Sequence, residues 1–251
     1  MLSGYLSYTI QIKQYHSLLL PEFSIAASDY PAVDRVEISS TDKWKISVKV
    51  LFKQIGSIEE ANSIGSVIAS QVADRLSFEY KLSADDPIKG DDAFEERDSD
   101  GIAHAVIMNH LSFAMAGHDT RSVEASEVPQ LQSTLESAPP NRDPYISQFR
   151  WIMRQEDPVA RFMHMYKILL SLEGGPRHNQ GPVDSFIQAE ESTVEMVHNS
   201  LLNRQETIYT RLRNEVGHEI AGTTPATTRQ GMEQHIDKLA DHVKTAISKL
   251  T

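Results

Sequence analysis

The chain has 251 residues, enough for one large or two modest domains that each bury a core, and 24 Lys and Arg against 35 Asp and Glu leave it a formal charge of −11. That balance excludes a broad basic footprint for duplex nucleic acid, and zero cysteines exclude a disulfide framework and thiolate-held metals. With no basic leader and no apolar run of roughly 18 residues, the expectation is a soluble, cytoplasmic chain with no membrane segment.

The charge is unevenly spread. Residues 1–142 hold 12 basic and 21 acidic side chains, net −9, whereas residues 143–251 hold 12 and 14, net −2. Any nucleic-acid contact is therefore expected to be local, through a cluster such as Arg204, Arg211 and Arg213.

Residues 1–55 read as β-rich. In the run from Trp44 to Phe52, residues Trp44, Ile46, Val48, Val50 and Phe52 alternate onto one face, the pattern of a half-buried strand. Ser57 and Glu60 form a capping-box pattern, and Ile58, Ala61, Ile64, Ile68, Val72 and Leu76 recur at helical spacing to about Tyr80. Residues 81–101, dominated by Asp, Glu, Pro and Gly, read as a solvated loop without the spacing of a calcium motif. Residues 102–116 read as one or two further strands, and His104, His110 and His118 lack metal-ligand spacing. Pro129 suits the first turn of a short helix to Ser137.

Ala138-Pro139-Pro140-Asn141-Arg142-Asp143-Pro144 is the clearest boundary, because adjacent prolines favour an extended linker. Beyond it, Asp143-Pro144 and Asp157-Pro158 each pair an N-cap residue with proline, predicting helices over 145–156 and 159–173, the second buried through Phe162, Tyr166, Leu169 and Leu170 and stopped at Gly174-Gly175. Long helices are expected over 183–200 and 201–218, the latter docking through Ile208, Leu212 and Val216. A last helix follows, with Met232, Ile236, Leu239, Val243, Ile247 and Leu250 near heptad spacing. His235 and His242 share a face of that helix and read as flanking its core stripe. The fold class expected is α+β: a mixed domain over 1–138 and an all-α helical bundle over 143–251.

The chemistry concentrates in Arg211-Leu212-Arg213-Asn214-Glu215-Val216-Gly217-His218. Arginine offers a permanent charge and a planar fork for two phosphate oxygens, and histidine titrates near neutrality. These groups suffice to cleave RNA without a metal or cofactor: the ribose 2′-hydroxyl attacks its own phosphate, a base takes its proton, an acid protonates the leaving 5′-oxygen, and a cation steadies the phosphorane. Spacing alone means little. Arg followed by His after four to six residues also occurs at Arg97–His104, Arg211–His218 and Arg229–His235, and with 13 Arg and 10 His chance gives about one or two such pairs. The polar Asn214 behind Arg213 is the discriminating feature. On an ideal helix Arg213 and His218 project roughly 140° apart, so one copy makes a loose site, and two copies across a two-fold axis bring both pairs into one groove.

Arg213-Asn214-x-x-x-His218, preceded by Leu212 on a late helix, with Leu169-Leu170-Ser171-Leu172-Glu173 on an early one, resembles the motif of the HEPN (higher eukaryotes and prokaryotes nucleotide-binding) superfamily, in particular its Apea-like branch. The resemblance covers roughly 143–250. It implies a metal-independent endoribonuclease acting as a homodimer, of the kind found in toxin–antitoxin and antiviral defence systems, with RNA as substrate and an antitoxin or regulatory protein as a possible partner. Arg213 and His218 would be its catalytic pair and Asn214 their polar support, with Arg204 and Arg211 as RNA-binding residues. Glu173 is given no role. The alternatives are a non-catalytic HEPN-fold dimerisation or nucleotide-binding module, or an accessory factor whose bundle only pairs subunits. On the plain structural reading, Arg213 pairs with Glu206, Glu215 or Glu219, and Asn214 and His218 cap a helix end.

Overall fold

The computed structural model describes residues 1–13, 17–97, 103–108, 120–136, 142–199, 203–217 and 222–250. The chain divides into two compact units, residues 1–139 and 140–251. Both strands and helices are present, so the protein is mixed α/β.

The first unit begins with β1 (Leu2–Lys13), β2 (Ser17–Leu19), β3 (Phe23–Ile25), β4 (Val33–Asp42) and β5 (Lys45–Ile55), and continues with helix α1 (Ile58–Tyr80). After it come β6 (Ser83–Ala84), β7 (Ile88–Arg97), β8 (Ala103–Met108), β9 (Thr120–Ser122) and α2 (Val128–Glu136). The main sheet has the order β3-β4-β5-β1-β7-β8, every neighbouring pair antiparallel, with β6 attached to β1; β2 and β9 form a separate parallel pair.

The alternation read from the sequence is realised in β5, where Ile46, Val48, Val50 and Phe52 are buried. With Leu6, Tyr8, Ile10 and Ile12 of β1 they share one core with the Ala61, Ile68, Ala69, Val72, Ala73 and Leu76 face of α1. A Cβ added at Gly65 on α1 would stand 2.7 Å from the Tyr8 hydroxyl and 3.0 Å from a Leu6 methyl, so the missing side chain lets the helix approach β1. Ser57 caps α1 by accepting from the Glu60 backbone N–H, and the Glu60 carboxylate reaches back to the Gly56 N–H at 3.1 Å.

The acidic segment is not a solvated loop through its length. Residues 83–84 and 88–97 are strands, and β7 lies between β1 and β8. Its Phe94 is buried, and its buried Asp92 is paired with Lys89 at 2.6 Å, so partners on both sides and an ion pair override a turn-like composition. Of the residues 102–116 read as further strands, 103–108 form β8; 102 and 109–116, with His110, lie outside the described residues, as does His118.

The second unit comprises α3 (Asp143–Met153), α4 (Pro158–Glu173), α5 (Gln180–Glu190), the strands β10 (Met196–Asn199) and β11 (Arg204–Thr207), α6 (Ile208–Gly217) and α7 (Pro225–Ser248). It is not all-α. β10 and β11 pair as an antiparallel hairpin where two continuous helices were expected. Val197 and Thr207 are β-branched and favour extended backbone, and the backbone at Asn203 takes φ +47°, the left-handed conformation Asn tolerates at a turn; the helix-forming Arg204, Gln205 and Glu206 are held extended by their pairing with β10.

Asp157 caps α4 as expected, accepting from the Val159 and Ala160 N–H groups, and Thr224 and Thr227 form a reciprocal capping box on α7. Phe162, Met165, Tyr166 and Leu169 of α4 and Met232, Ile236, Leu239, Val243 and Ile247 of α7 are buried in this unit, each at about 1.5–3 kcal/mol. The Ile208, Leu212 and Val216 stripe is only partly used: Leu212 is buried and Val216 is 46% exposed. A Cβ at Gly231 of α7 would meet a Leu212 methyl at 2.7 Å, which places α6 and α7 in direct contact there. Among the described residues no helix is long and apolar enough to cross a membrane.

Candidate functional site

Three short elements converge on a buried polar cluster. At its base the Asp184 Oδ1 of α5 accepts three hydrogen bonds, from the Thr207 N–H at 3.0 Å, the Thr207 hydroxyl at 2.8 Å and the Thr210 hydroxyl at 2.6 Å. Thr207 Oγ1 in turn accepts from the Thr210 N–H at 3.3 Å, which makes Thr207 the N-cap of α6. The carboxylate therefore fixes where the hairpin ends and α6 begins. Thr-x-x-Thr at 207–210 is the sequence signal that marks this start, and it places the first turn of α6 at Ile208 rather than at the expected 201.

One turn further along α6 lies Asn214, only 7% exposed. Its side-chain oxygen accepts from Gln180 Nε2 at 2.7 Å and from Arg213 Nη1 at 3.0 Å. Its NH2 donates to Glu206 Oε2 at 3.3 Å and more weakly to Gln180 Oε1 at 3.4 Å. Glu206, 0% exposed on β11, also accepts from Asn199 Nδ2 at 2.9 Å. Arg204 Nη2 donates to Gln180 Oε1 at 3.2 Å and stands 3.9 Å from Asp184 Oδ2. Three buried atoms of the cluster, Asp184 Oδ2, Glu206 Oε1 and Arg204 Nε, make no hydrogen bond among the described residues.

Tyr166 of α4 adds its hydroxyl, 2.7 Å from Thr210 Oγ1. Burial pushes its ionisation well above the ordinary tyrosine value. The Thr210 hydrogen bond and the Arg213 and Arg204 charges pull it down, and Asp184 pushes it further up. The phenol stays protonated at any working pH and is no base.

Of the residues singled out in the sequence, Arg213, Asn214 and Arg204 are thus in one network. Arg211 is elsewhere: its Nε donates to Glu215 Oε1 at 3.0 Å, and Glu215 Oε2 receives the Thr228 hydroxyl of α7 at 2.7 Å, so this arginine belongs to an α6–α7 clamp. His218 lies outside the described residues, as does Glu219. Asn214 makes side-chain bonds across to α5 and β11 rather than capping α6, and Arg213 is bonded to Asn214. Gln180 and Asp184 were not singled out from the sequence, since nothing local distinguishes them from surface polar residues; Glu206 was named only as an ion-pair partner for Arg213, and it accepts from Asn214 instead.

Comparison with protein-family models, with curated proteins and with solved structures yields no match. The site therefore has to be read from its own chemistry.

On the other side of α6, Tyr209 is packed between aromatic rings. His235 and His242 of α7 meet it edge-on at 5.6 and 5.4 Å, and Phe162 stacks at 6.5 Å. The Tyr209 hydroxyl donates to Glu191 Oε2 at 3.0 Å, His242 Nε2 lies 3.0 Å from the same oxygen, and Lys238 Nζ is 2.7 Å from Oε1. Burial alone would raise the Glu191 carboxyl. The hydrogen bonds from Lys238, His242 and Tyr209 outweigh it and hold the group at about 2, below its ordinary 4.5. The two histidines thus wall and tie a tyrosine, and among the described residues no group of three or more His, Asp or Glu is arranged to hold a metal.

Proposed function

We propose that residues 143–251 form a metal-independent endoribonuclease of HEPN type, acting as a homodimer on RNA. The observation that supports this reading is the Arg213 side chain, which is half-buried and steered by a hydrogen bond to the anchored Asn214. A cation held before substrate arrives loses little freedom on meeting a phosphate, and that is the condition for stabilising a phosphorane. In this reading Arg213 grips the scissile phosphate and His218 takes part in proton transfer as the 2′-oxygen attacks phosphorus and the 5′-oxygen departs with a proton. No metal or cofactor is required. Arg204, with part of its charge spent on Gln180 and Asp184, contributes positive potential rather than a free fork. Residues 1–138 would recognise a substrate, an antitoxin or another regulatory protein, consistent with a toxin or defence effector.

A second reading is favoured by the burial of Asn214. Its four polar contacts explain why an amide stands there without any chemistry, as a non-catalytic dimerisation or nucleotide-binding module, or an accessory factor, would require. Incubating the purified protein with RNA in EDTA separates the two. The ribonuclease reading expects fragments with 2′,3′-cyclic phosphate ends, absent with Arg213→Ala and His218→Ala, and inert all-DNA substrates. Undiminished cleavage by both variants would refute it, and a strictly monomeric protein would count against the shared groove.

A further inference from the structure

The orientation of an amide is decided by its partners, because its oxygen and nitrogen ends are nearly the same size. Asn214 sits between a group that can only donate, the Arg213 guanidinium, and one that accepts when ionised, the Glu206 carboxylate. Turning the amide over would aim NH2 at NH2 on one side and oxygen at oxygen on the other. Gln180 is fixed in the same way: Arg204 donates to its Oε1, which leaves its Nε2 to donate to Asn214 Oδ1. Charged ends therefore polarise two neutral amides into a single arrangement, with the Asn214 oxygen turned to Arg213.

Glu206 is a costly way to satisfy Asn214. It is 0% exposed, and its Oε1 has no hydrogen-bond partner among the described residues. A buried carboxylate carries a desolvation penalty that a neutral amide of the same shape mostly avoids. Glutamine would still offer an oxygen to Asn199 and Asn214. It would also offer a donor, and with it the flipped arrangement of Asn214. What the carboxylate adds over glutamine is direction.

We propose that Glu206, Gln180 and Arg204 are positioning residues that act through Asn214 to fix the direction of the Arg213 guanidinium. As a statement about catalysis this rests on the ribonuclease reading above; as a statement about Arg213 it does not. Glu206→Gln is then expected to leave the thermal midpoint unchanged or raised while releasing Arg213, the opposite of what a purely structural carboxylate would do.

The test is side-chain NMR of the full chain, following the Arg213 Nε–H signal, assigned by its loss in Arg213→Lys. In the wild type this signal is expected to be dispersed, with a rigid heteronuclear NOE; in Glu206→Gln it should move to the averaged arginine position and lose that NOE. Gln180→Ala, at a half-buried position in the first turn of α5, should do the same if Glu206→Gln fails to fold. Cleavage of RNA by each variant should fall roughly 10- to 100-fold in kcat at unchanged KM. An Arg213 signal as rigid and as shifted in the folded variants as in the wild type overturns the proposal. A wild type that does not cleave RNA at all sinks the preceding functional reading, and the NMR comparison still decides the relay.

Discussion

Arg213 donates a hydrogen bond to the side-chain oxygen of Asn214, its immediate neighbour on α6, at 3.0 Å. Consecutive residues on a helix point about 100° apart and do not ordinarily face each other. The contact forms because Asn214 is held inward by α5 and β11 and only the long arginine can bend to reach it. A guanidinium that would otherwise sweep through solvent is held by one of its terminal nitrogens.

The shape of that group matters as well as its charge. Arg213→Lys keeps the positive charge but has no planar fork with which to hold Asn214 and a phosphate together. RNA cleavage is expected to fall roughly 10- to 100-fold, mostly in kcat, with the circular dichroism spectrum unchanged. Steady-state kinetics of the variant against the wild type measure this, and equal rates would show that charge alone suffices.

Asp184 should control folding of the second unit. Its Oδ1 takes three hydrogen bonds at the start of α6 and the side chain is 6% exposed. Asp184→Ala leaves three buried donors without an acceptor, and a loss of about 3–5 kcal/mol is expected in urea denaturation. Asp184→Asn retains an acceptor oxygen and should lose about 1 kcal/mol.

Stability should respond to acid through Glu191. Its carboxyl titrates at about 2 in the folded chain against an ordinary 4.5, so the folded state binds its proton more weakly than the unfolded state does. The contribution is therefore complete above the ordinary value and is lost as pH falls from 4.5 through about 2. The whole shift corresponds to about 3 kcal/mol, which solvent screening at this partly open site reduces to about 1–2 kcal/mol. Glu191→Gln should lose that amount at neutral pH and show a flatter acid limb between those two values, measured as the denaturation midpoint against pH; an acid limb identical to the wild type's would contradict the assignment.

In the first unit Gly4→Ala is expected to be damaging. Gly4 of β1 lies between Phe52 of β5 and Phe94 of β7, and a Cβ there would collide with the Ala93 carbonyl oxygen and stand 2.8 Å from the Phe94 Cα. Backbone atoms in a central sheet have no room to yield, so about 2–4 kcal/mol should be lost. Thermal denaturation followed by near-ultraviolet absorbance of the buried aromatic residues reports it.

Where a single segment holds its own instructions, the sequence is sufficient. Asp157-Pro158 starts α4, Ser57 starts α1, and alternation puts Ile46, Val48, Val50 and Phe52 on one face of β5, because caps and periodicity act within a few residues. The pairing of distant strands is a different matter. Ile88–Arg97 is a strand because β1 and β8 supply its hydrogen bonds and Lys89 neutralises Asp92, although its composition is that of a loop.

Arg213-Asn214 could be picked out from the sequence as a chemically suggestive pair, because a polar Asn behind the arginine is what sets it apart from the other Arg–His spacings. Which groups do the aiming was decided only by tertiary structure. Glu206 and Gln180 are ordinary polar residues until the β10–β11 hairpin and α5 place them beside Asn214, and their meaning lies in which end of an amide each one faces. Hydrogen bonding of this kind depends on distances between segments far apart in the chain, and no local pattern of residues encodes them.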